Sequence, residues 1–354
     1  MATEVLRQPA ELAAEAAPVR GPIDRIISIP ERLPGPALLW YAAVVPVVAV
    51  VLSIPSWVAG AGAFGSVSED FVAPALLAAY LLGLIHVLNR IARGSFEDFR
   101  DALDPHARQE KLAAELTSIP DRAAILAIAI AEVLLTLGFL TNGGQRDRLR
   151  LLPPSLAAAE FIAWWIAIAV VALVVLHTVR QLRLITRLHA AATSIDLFDR
   201  SAIVAFSRLT SATAIGLLVI PILSIASVSG QTTSQPTAFD LAQEASLVLL
   251  AAAAFVLPLL GMHDRMAREK GRLLREVNER LKVTTTRIHD GVDADHLADA
   301  DQLNKTLNSL LAEREVIGRF STWPWSPNTL RGFGSAILLP IVIWLLIRFL
   351  ERVI

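Results

Sequence analysis

Seven long apolar stretches divide this chain, and they constrain its fold more than any other feature of the sequence. Each is close to the length of about 20 residues that a helix needs to cross a hydrocarbon core of about 30 Å. Of the 354 residues, 54% are hydrophobic and 18% are charged, whereas about a quarter of the residues in soluble domains are charged. We therefore predict an all-α, polytopic membrane bundle of about seven transmembrane helices. The predicted spans are Pro36–Ser56, Phe71–Asn89, Ala123–Thr141, Ala157–Thr178, Ala202–Val228, Leu241–Met262 and Leu330–Leu350.

The basic residues lie almost entirely in every second gap between these stretches. The N-terminal leader and the even-numbered loops hold 26 of the 32 lysine and arginine residues, and the odd-numbered loops and the tail hold five. Because loops rich in lysine and arginine stay in the cytoplasm, we predict a cytoplasmic N-terminus and an external C-terminus. The third loop runs against this trend, with Arg146, Arg148 and Arg150. We expect the protein in the cytoplasmic (inner) membrane of a prokaryote.

The patterns divide the chain into four regions. Residues 1–35 mix acidic and basic side chains without a continuous apolar core, which predicts a cytosolic leader rather than a cleavable signal. Residues 36–262 form the six-span bundle. Within it, residues 91–122 form a cytosolic amphipathic loop, where Asp104 and Pro105 predict the start of a helix. Residues 263–329 form a cytosolic hairpin, and residues 330–354 form the seventh helix and a short tail.

The hairpin prediction rests on apolar periodicity. Apolar side chains recur at spacings of four and seven residues from Met266 to Ile288 and, after a break at His289–His296, from Leu303 to Ile317. This predicts two coiled-coil-like helices packed antiparallel. Their narrow stripes must be buried against each other or against a second subunit. Pairing of the two arms is favoured because they are matched in length. Trp323-Pro324-Trp325 after the hairpin predicts a rigid aromatic anchor before the last span.

Glu132 lies near the middle of the third span, where a charge costs at least a few kcal/mol. It is either a proton or cation site inside the bundle, or a structural partner in a hydrogen bond or ion pair. Arg208 lies at a similar depth in the fifth span and could pair with it. Alternatively, Arg208 snorkels to the headgroups.

Three further polar residues lie toward the cytoplasmic side. His86 and His177 are near the inner ends of the second and fourth spans, with Tyr80 deeper. With Arg208 they could line a polar vestibule that opens to the cytoplasm, or their polar tips could simply reach interfacial water. The candidate residues for a ligand or ion pathway are therefore Glu132, Arg208, His86, His177 and Tyr80.

No motif in the sequence indicates catalysis. The chain lacks a glycine-rich phosphate loop, a His-Glu-x-x-His helix, a Gly-x-Ser-x-Gly turn and a dinucleotide fingerprint. Cysteine is absent, which excludes disulfides, iron–sulfur clusters and thiolate zinc sites. The acidic turn at His289–His296 lacks the ligand order of a calcium loop. We expect no enzymatic activity, cofactor or metal site, and the net charge of −1 argues against nucleic acid as a partner.

Two functions remain, and they belong to different classes. The preferred one is a non-enzymatic scaffold, signalling or assembly component that acts through its hairpin, with the lipid bilayer around it and a protein partner or self-association through residues 263–319. The alternative is a transporter or channel for a small solute or ion that uses Glu132 and the inner vestibule. We see no internal repeat of three plus three spans, which many transporters have, so this alternative is second.

Overall fold

A computed structural model describes residues 21–67, 69–103, 109–141, 147, 149–192, 197–198, 200–228, 238–295, 299–325, 329–335, 338, 342 and 349. The fold is all-helical, and no strand occurs in these ranges. The helices are α1 (Pro22–Ile27), α2 (Ala37–Val58), α3 (Glu69–Phe99), α4 (Gln109–Thr117), α5 (Asp121–Thr141), α6 (Pro154–Ala191), α7 (Arg200–Val228), α8 (Ala238–Asp293) and α9 (Ala300–Arg319). A 3-10 turn at Ile29–Arg32 follows α1.

Six helical segments are long and apolar enough to cross a membrane. They correspond to the first six predicted spans, and they lie at Ala37–Val58, Phe71–Ala102, Gln109–Leu140, Pro154–Ala191, Ser201–Ile220 and Ala245–Asp293. Most of the seventh predicted span lies outside the described residues, although residues 329–335 are helical. The predicted helix start at Asp104–Pro105 also lies outside them.

Three of the helices continue well past the ends of their apolar stretches. The sequence places span ends at Asn89, Thr178 and Met262, whereas the helices end at Phe99, Ala191 and Asp293. The span ends and the helix ends differ because hydropathy marks only where an apolar stretch ends. A helix continues into water wherever its residues form helices well and no glycine or proline ends it.

The centre of the bundle is formed by α3, α6, α7 and α8, and α2 and α5 lie at its edge. In the apolar stretch of α7, 61% of the residues are buried. In the segment Gln109–Leu140, which includes α5, only 6% of the residues in the apolar stretch are buried. The helix α5 packs against α6 and makes its main contact there. Glu132 therefore lies on a peripheral helix.

The main buried cluster continues from the bundle into the ends of the long helices. It includes Leu88 and Phe99 on α3, Ile185 on α6, Phe206 on α7 and Met266 on α8. Phe99, Ile185 and Met266 lie beyond the predicted inner ends of their spans, so the core joins the apolar segments to the polar regions next to them.

Candidate functional site

The described part of the leader docks onto the bundle through two reciprocal hydrogen bonds. Asp121, in the first turn of α5, accepts the Ile23 N–H at 3.3 Å. Asp24, in the first turn of α1, accepts the Ile119 N–H at 2.9 Å. Since the first N–H groups of a helix have no partner within the helix, Asp121 caps α1 from another element. The segment from Pro22 to Arg32 is thereby fixed against the start of α5.

A second set of contacts holds the same segment against α2 and α3. The Glu31 carboxylate lies 3.3 Å from His86 Nδ1 and 3.4 Å from Arg93 Nη2. The Tyr41 hydroxyl donates to the Ile27 carbonyl at 3.2 Å. Each partly exposed contact of this kind contributes little alone, but together with the aspartate contacts they close one side of a cavity.

This inner cavity has a volume of about 520 Å³. Its walls are the segment from Gly21 to Glu31, the inner part of α3 and residues 114–121. Asn89 lines it with only 8% of its surface exposed, and its Oδ1 atom has no hydrogen-bond partner among the described residues. A cavity of this size with mixed polar walls can hold several water molecules or a small polar solute.

The structure does not bring the five predicted pathway residues together. His86 lines the inner cavity. The Tyr80 hydroxyl donates to the Gly216 carbonyl at 2.8 Å, which joins α3 to α7. His177 is buried, and its Nε2 atom has no partner within the described part of the chain. Neither Tyr80 nor His177 is among the residues that line the cavity.

Glu132 and Arg208 lie apart. Glu132 is half-buried on α5, and its Oε2 atom is buried without a hydrogen-bond partner in the described ranges. Arg208 is exposed on α7. They form no ion pair with each other, and the inner cavity contains neither of them. No group of three or more histidine and acidic residues in the described ranges is placed to hold a metal ion.

The second candidate site is the base of the pair formed by α8 and α9. Lys270 on α8 donates to the carbonyls of Gly318 at 2.7 Å and Phe320 at 2.8 Å, at the C-terminal end of α9. Arg265 on α8 donates to the carbonyl of Ala192 at 2.6 Å and to that of Ala190, at the end of α6. Cations are favoured at helix C-termini, where the last carbonyls lack intrahelical partners. Two basic residues of α8 thus bind the ends of two neighbouring helices.

A ladder of stacked rings extends this base toward the sixth span. The order of the rings is His263, Trp323, Trp325, Phe255 and Phe333, with centroid separations of 4.0, 4.6, 4.9 and 3.8 Å. The His263 Nδ1 atom also lies 2.9 Å from the Thr322 carbonyl. The chain that leaves α9 is therefore held against α8 on both sides of the predicted span boundary at Met262.

Above this base, α9 runs back along α8. Val277 on α8 and Leu310 and Ile317 on α9 are buried, in keeping with the apolar stripes in the sequence. Ion pairs follow one side of α8, where Arg272 contacts Glu269 and Glu276, and Glu276 contacts Arg280. The second arm begins at Ala300 after Asp299, and residues 296–298 of the predicted turn lie outside the described ranges.

Sequence reasoning did not identify the residues that hold these two sites together. Asp24 and Asp121 each follow closely on a proline, which signals a helix start, but the sequence does not indicate that they cap each other's elements. Arg265 and Lys270 resemble ordinary solvated charges on a predicted arm. The Trp323-Pro324-Trp325 segment stands out in the sequence as a predicted aromatic anchor. Its two tryptophans lie next to each other within the ladder.

No known protein family matches this chain, and neither a similar curated protein nor a similar solved structure was found.

Proposed function

We propose that this protein is a non-enzymatic membrane component that acts as a scaffold, signalling or assembly module through a cytosolic hairpin, residues 263–319. The observation that carries the proposal is the base of α8 and α9. The helix α8 is continuous from the sixth span to Asp293. Arg265, Lys270 and the ring ladder bind it to α6, to α9 and to the following chain. A module fixed in this way transmits its position to whatever binds it.

The proposal includes seven spans, a cytoplasmic N-terminus, an external C-terminus and residence in a prokaryotic inner membrane. The distribution of lysine and arginine supports this arrangement. So does the contact pattern, because the leader meets residues 114–121 and the end of α6 meets the base of α8. The segments that the lysine and arginine distribution assigns to the cytosol therefore contact one another.

Apolar side chains on the outside of the hairpin support a role in binding. Leu311 is 45% exposed and Val316 is 49% exposed, and they flank the buried seam residues Leu310 and Ile317. A two-helix hairpin in water leaves such side chains uncovered until a protein partner or a second copy covers them.

Deletion of the hairpin tests the proposal. A short glycine–serine linker replaces residues 267–319, because the contacts of His263 and Lys270 with residues 318–322 place the two ends close together. The full chain and the deletion variant are compared for membrane localisation, for oligomeric state in nanodiscs, and for photo-crosslinking in cells. We expect loss of the discrete cross-linked complex. Unchanged localisation, cross-linked partner and oligomeric state would overturn the proposal.

A milder pair of variants keeps the hairpin folded. Leu311→Glu with Val316→Glu places charge on the exposed apolar side chains and leaves the buried seam unchanged. Asn308→Glu adds a charge at an exposed polar position of the same helix and is the matched control. We expect binding through the hairpin to weaken by about tenfold or more in the double variant and to stay near the original value in the control.

The inner cavity favours a second candidate function, transport of a small solute or ion. The polar walls that include His86 and the unpartnered Asn89 carry this alternative. Proteoliposomes with an entrapped pH-sensitive dye test it for protons. Flux that His86→Ala or Glu132→Gln abolishes, with the melting temperature unchanged, would support transport, and no flux above empty liposomes would count against it.

A further inference from the structure

A second cavity lies on the lipid-facing side of the bundle. It is an apolar groove of about 360 Å³ between α2, α3, α6 and the segment from Ile26 to Leu33. On α2 it follows Tyr41, Val44, Val48 and Leu52, and alanines of α3 are among the residues that line it. Its lining residues on α2, α3 and α6 belong to apolar spans, so we expect lipid around it.

The length and width of the groove favour one kind of ligand. From Tyr41 to Leu52 it extends about 17 Å along α2 at 1.5 Å per residue, which is about half the thickness of a hydrocarbon core. A helix of that length, about 10 Å wide, would need several times the volume of the groove. A helix could therefore insert only some of its side chains, whereas an extended hydrocarbon chain is narrow enough to lie inside the groove.

The segment from Asp24 to Arg32, which closes one end of the groove, has acidic side chains toward the inner cavity and apolar side chains toward the groove. Asp24 and Glu31 line the polar inner cavity on one side. Ile26 and Ile29 line the groove and are 64% and 50% exposed. Arg25 and Arg32 are exposed and form no ion pair within the described ranges.

The local backbone brings a cation to the mouth of the groove. Ile29–Arg32 is a 3-10 turn, in which residues three apart lie on the same side. Arg32 therefore shares a side with Ile29, which lines the groove. Trp40, also at this end, donates from Nε1 to the Pro34 carbonyl at 3.1 Å, a position typical of interfacial tryptophan.

We propose that this groove binds one acyl chain of an anionic phospholipid, and that Arg25 and Arg32 hold its phosphate. The apolar walls take the chain, and the two guanidinium groups take the headgroup. The site would tie the leader segment to the leaflet that it faces.

Native mass spectrometry of the full chain tests this proposal, with phosphatidylglycerol and phosphatidylcholine supplied in equal amounts. The variant Ala78→Phe fills the groove, and Ala129→Phe on the exposed side of α5 is the matched control. The variant Arg25→Gln/Arg32→Gln removes the headgroup contacts. Thermal melts and gel filtration verify that each variant is folded.

We expect the unmodified chain to retain phosphatidylglycerol preferentially and Ala78→Phe to lose the retained lipid, while Ala129→Phe keeps it. The double arginine variant should lose about tenfold in preference for phosphatidylglycerol and still retain lipid. Equal retention by Ala78→Phe and Ala129→Phe would overturn the chain site, and an unchanged preference in the arginine variant would overturn the headgroup site.

Discussion

At the scale of single residues, Glu132 is the most informative. It lies on a peripheral helix, its Oε2 atom is buried, and no described residue pairs with it. A carboxyl group in that position costs free energy unless something compensates it. We predict that Glu132→Leu leaves the protein folded and raises its free energy of unfolding by about 1–3 kcal/mol. A thermal melt in nanodiscs measures the change.

Thr136→Val is a suitable control for Glu132→Leu, because the Thr136 hydroxyl donates only to the backbone carbonyl of residue 132. A lower melting temperature for Glu132→Leu, with Thr136→Val unchanged, would show that the carboxyl group has a stabilising partner. That result would restore Glu132 as a structural pairing site.

Gly216 marks the closest approach of α7 to α3. A Cβ atom there would overlap the side chain of Leu84, and the Gly216 carbonyl accepts the hydrogen bond from Tyr80. We predict that Gly216→Val destabilises the protein by about 1–3 kcal/mol because the added methyl groups separate the two helices. Gly94→Val on α3, where a Cβ atom meets open space, is the matched control and should not lose stability, because valine has a higher helix propensity than glycine. Equal loss of melting temperature in both variants would contradict the packing explanation.

The position of a residue along its helix followed from the sequence, but its neighbours did not. Position within an apolar stretch places His86 near the inner end of the second predicted span, and its side chain lines the inner cavity. The same reasoning places Glu132 and Arg208 at similar depth. It says nothing about which helices are adjacent, and α5 packs against α6. The partner of His86, Glu31, comes from the leader segment, whose docking depends on tertiary contacts.

At the scale of elements, periodicity predicted more than hydropathy did. The four- and seven-residue spacing predicted helices on both sides of the break, and α8 and α9 are helical there, with Leu310 and Ile317 of the α9 stripe buried. Hydropathy located six apolar segments but not the true ends of α3, α6 and α8, since helix continues through polar sequence. The caps supplied by Arg265 and Lys270 could not be predicted, because they join elements far apart in the chain.

The ring ladder at the base of α8 makes a prediction for this element. Trp323→Ala removes the ring between His263 and Trp325. We expect α9 to lose about 1–3 kcal/mol of stability against local opening, because aromatic stacking and apolar burial are both lost. Hydrogen exchange measures this as faster exchange in residues 300–319 and unchanged exchange in α7.

Trp57→Ala provides the control for the ladder variant. Trp57 contacts Phe64 beyond the other end of α2, away from α8. Its replacement should leave exchange in residues 300–319 unchanged. Faster exchange of α9 in both variants would indicate general destabilisation rather than loss of the base.

At the scale of the whole molecule, the absence of cysteine allows the proposed orientation to be tested directly. Phe64→Cys lies in the first loop, where the side chain is highly exposed, and Asn308→Cys lies on the exposed surface of α9. We predict that a membrane-impermeant maleimide labels Phe64→Cys in right-side-out vesicles and labels Asn308→Cys only after lysis. Labelling of Asn308→Cys before lysis would invert the orientation.

The length of α8 has a mechanical consequence. The helix has 56 residues, so it is about 84 Å long, and about 46 Å of it lie beyond Met262. An arm of that length acts as a lever: a tilt of about 5° in the sixth span displaces its far end by about 4 Å. A small tilt of the sixth span is thus enlarged at the far end of α8. Conversely, a force applied at that end would tilt the sixth span within the bundle.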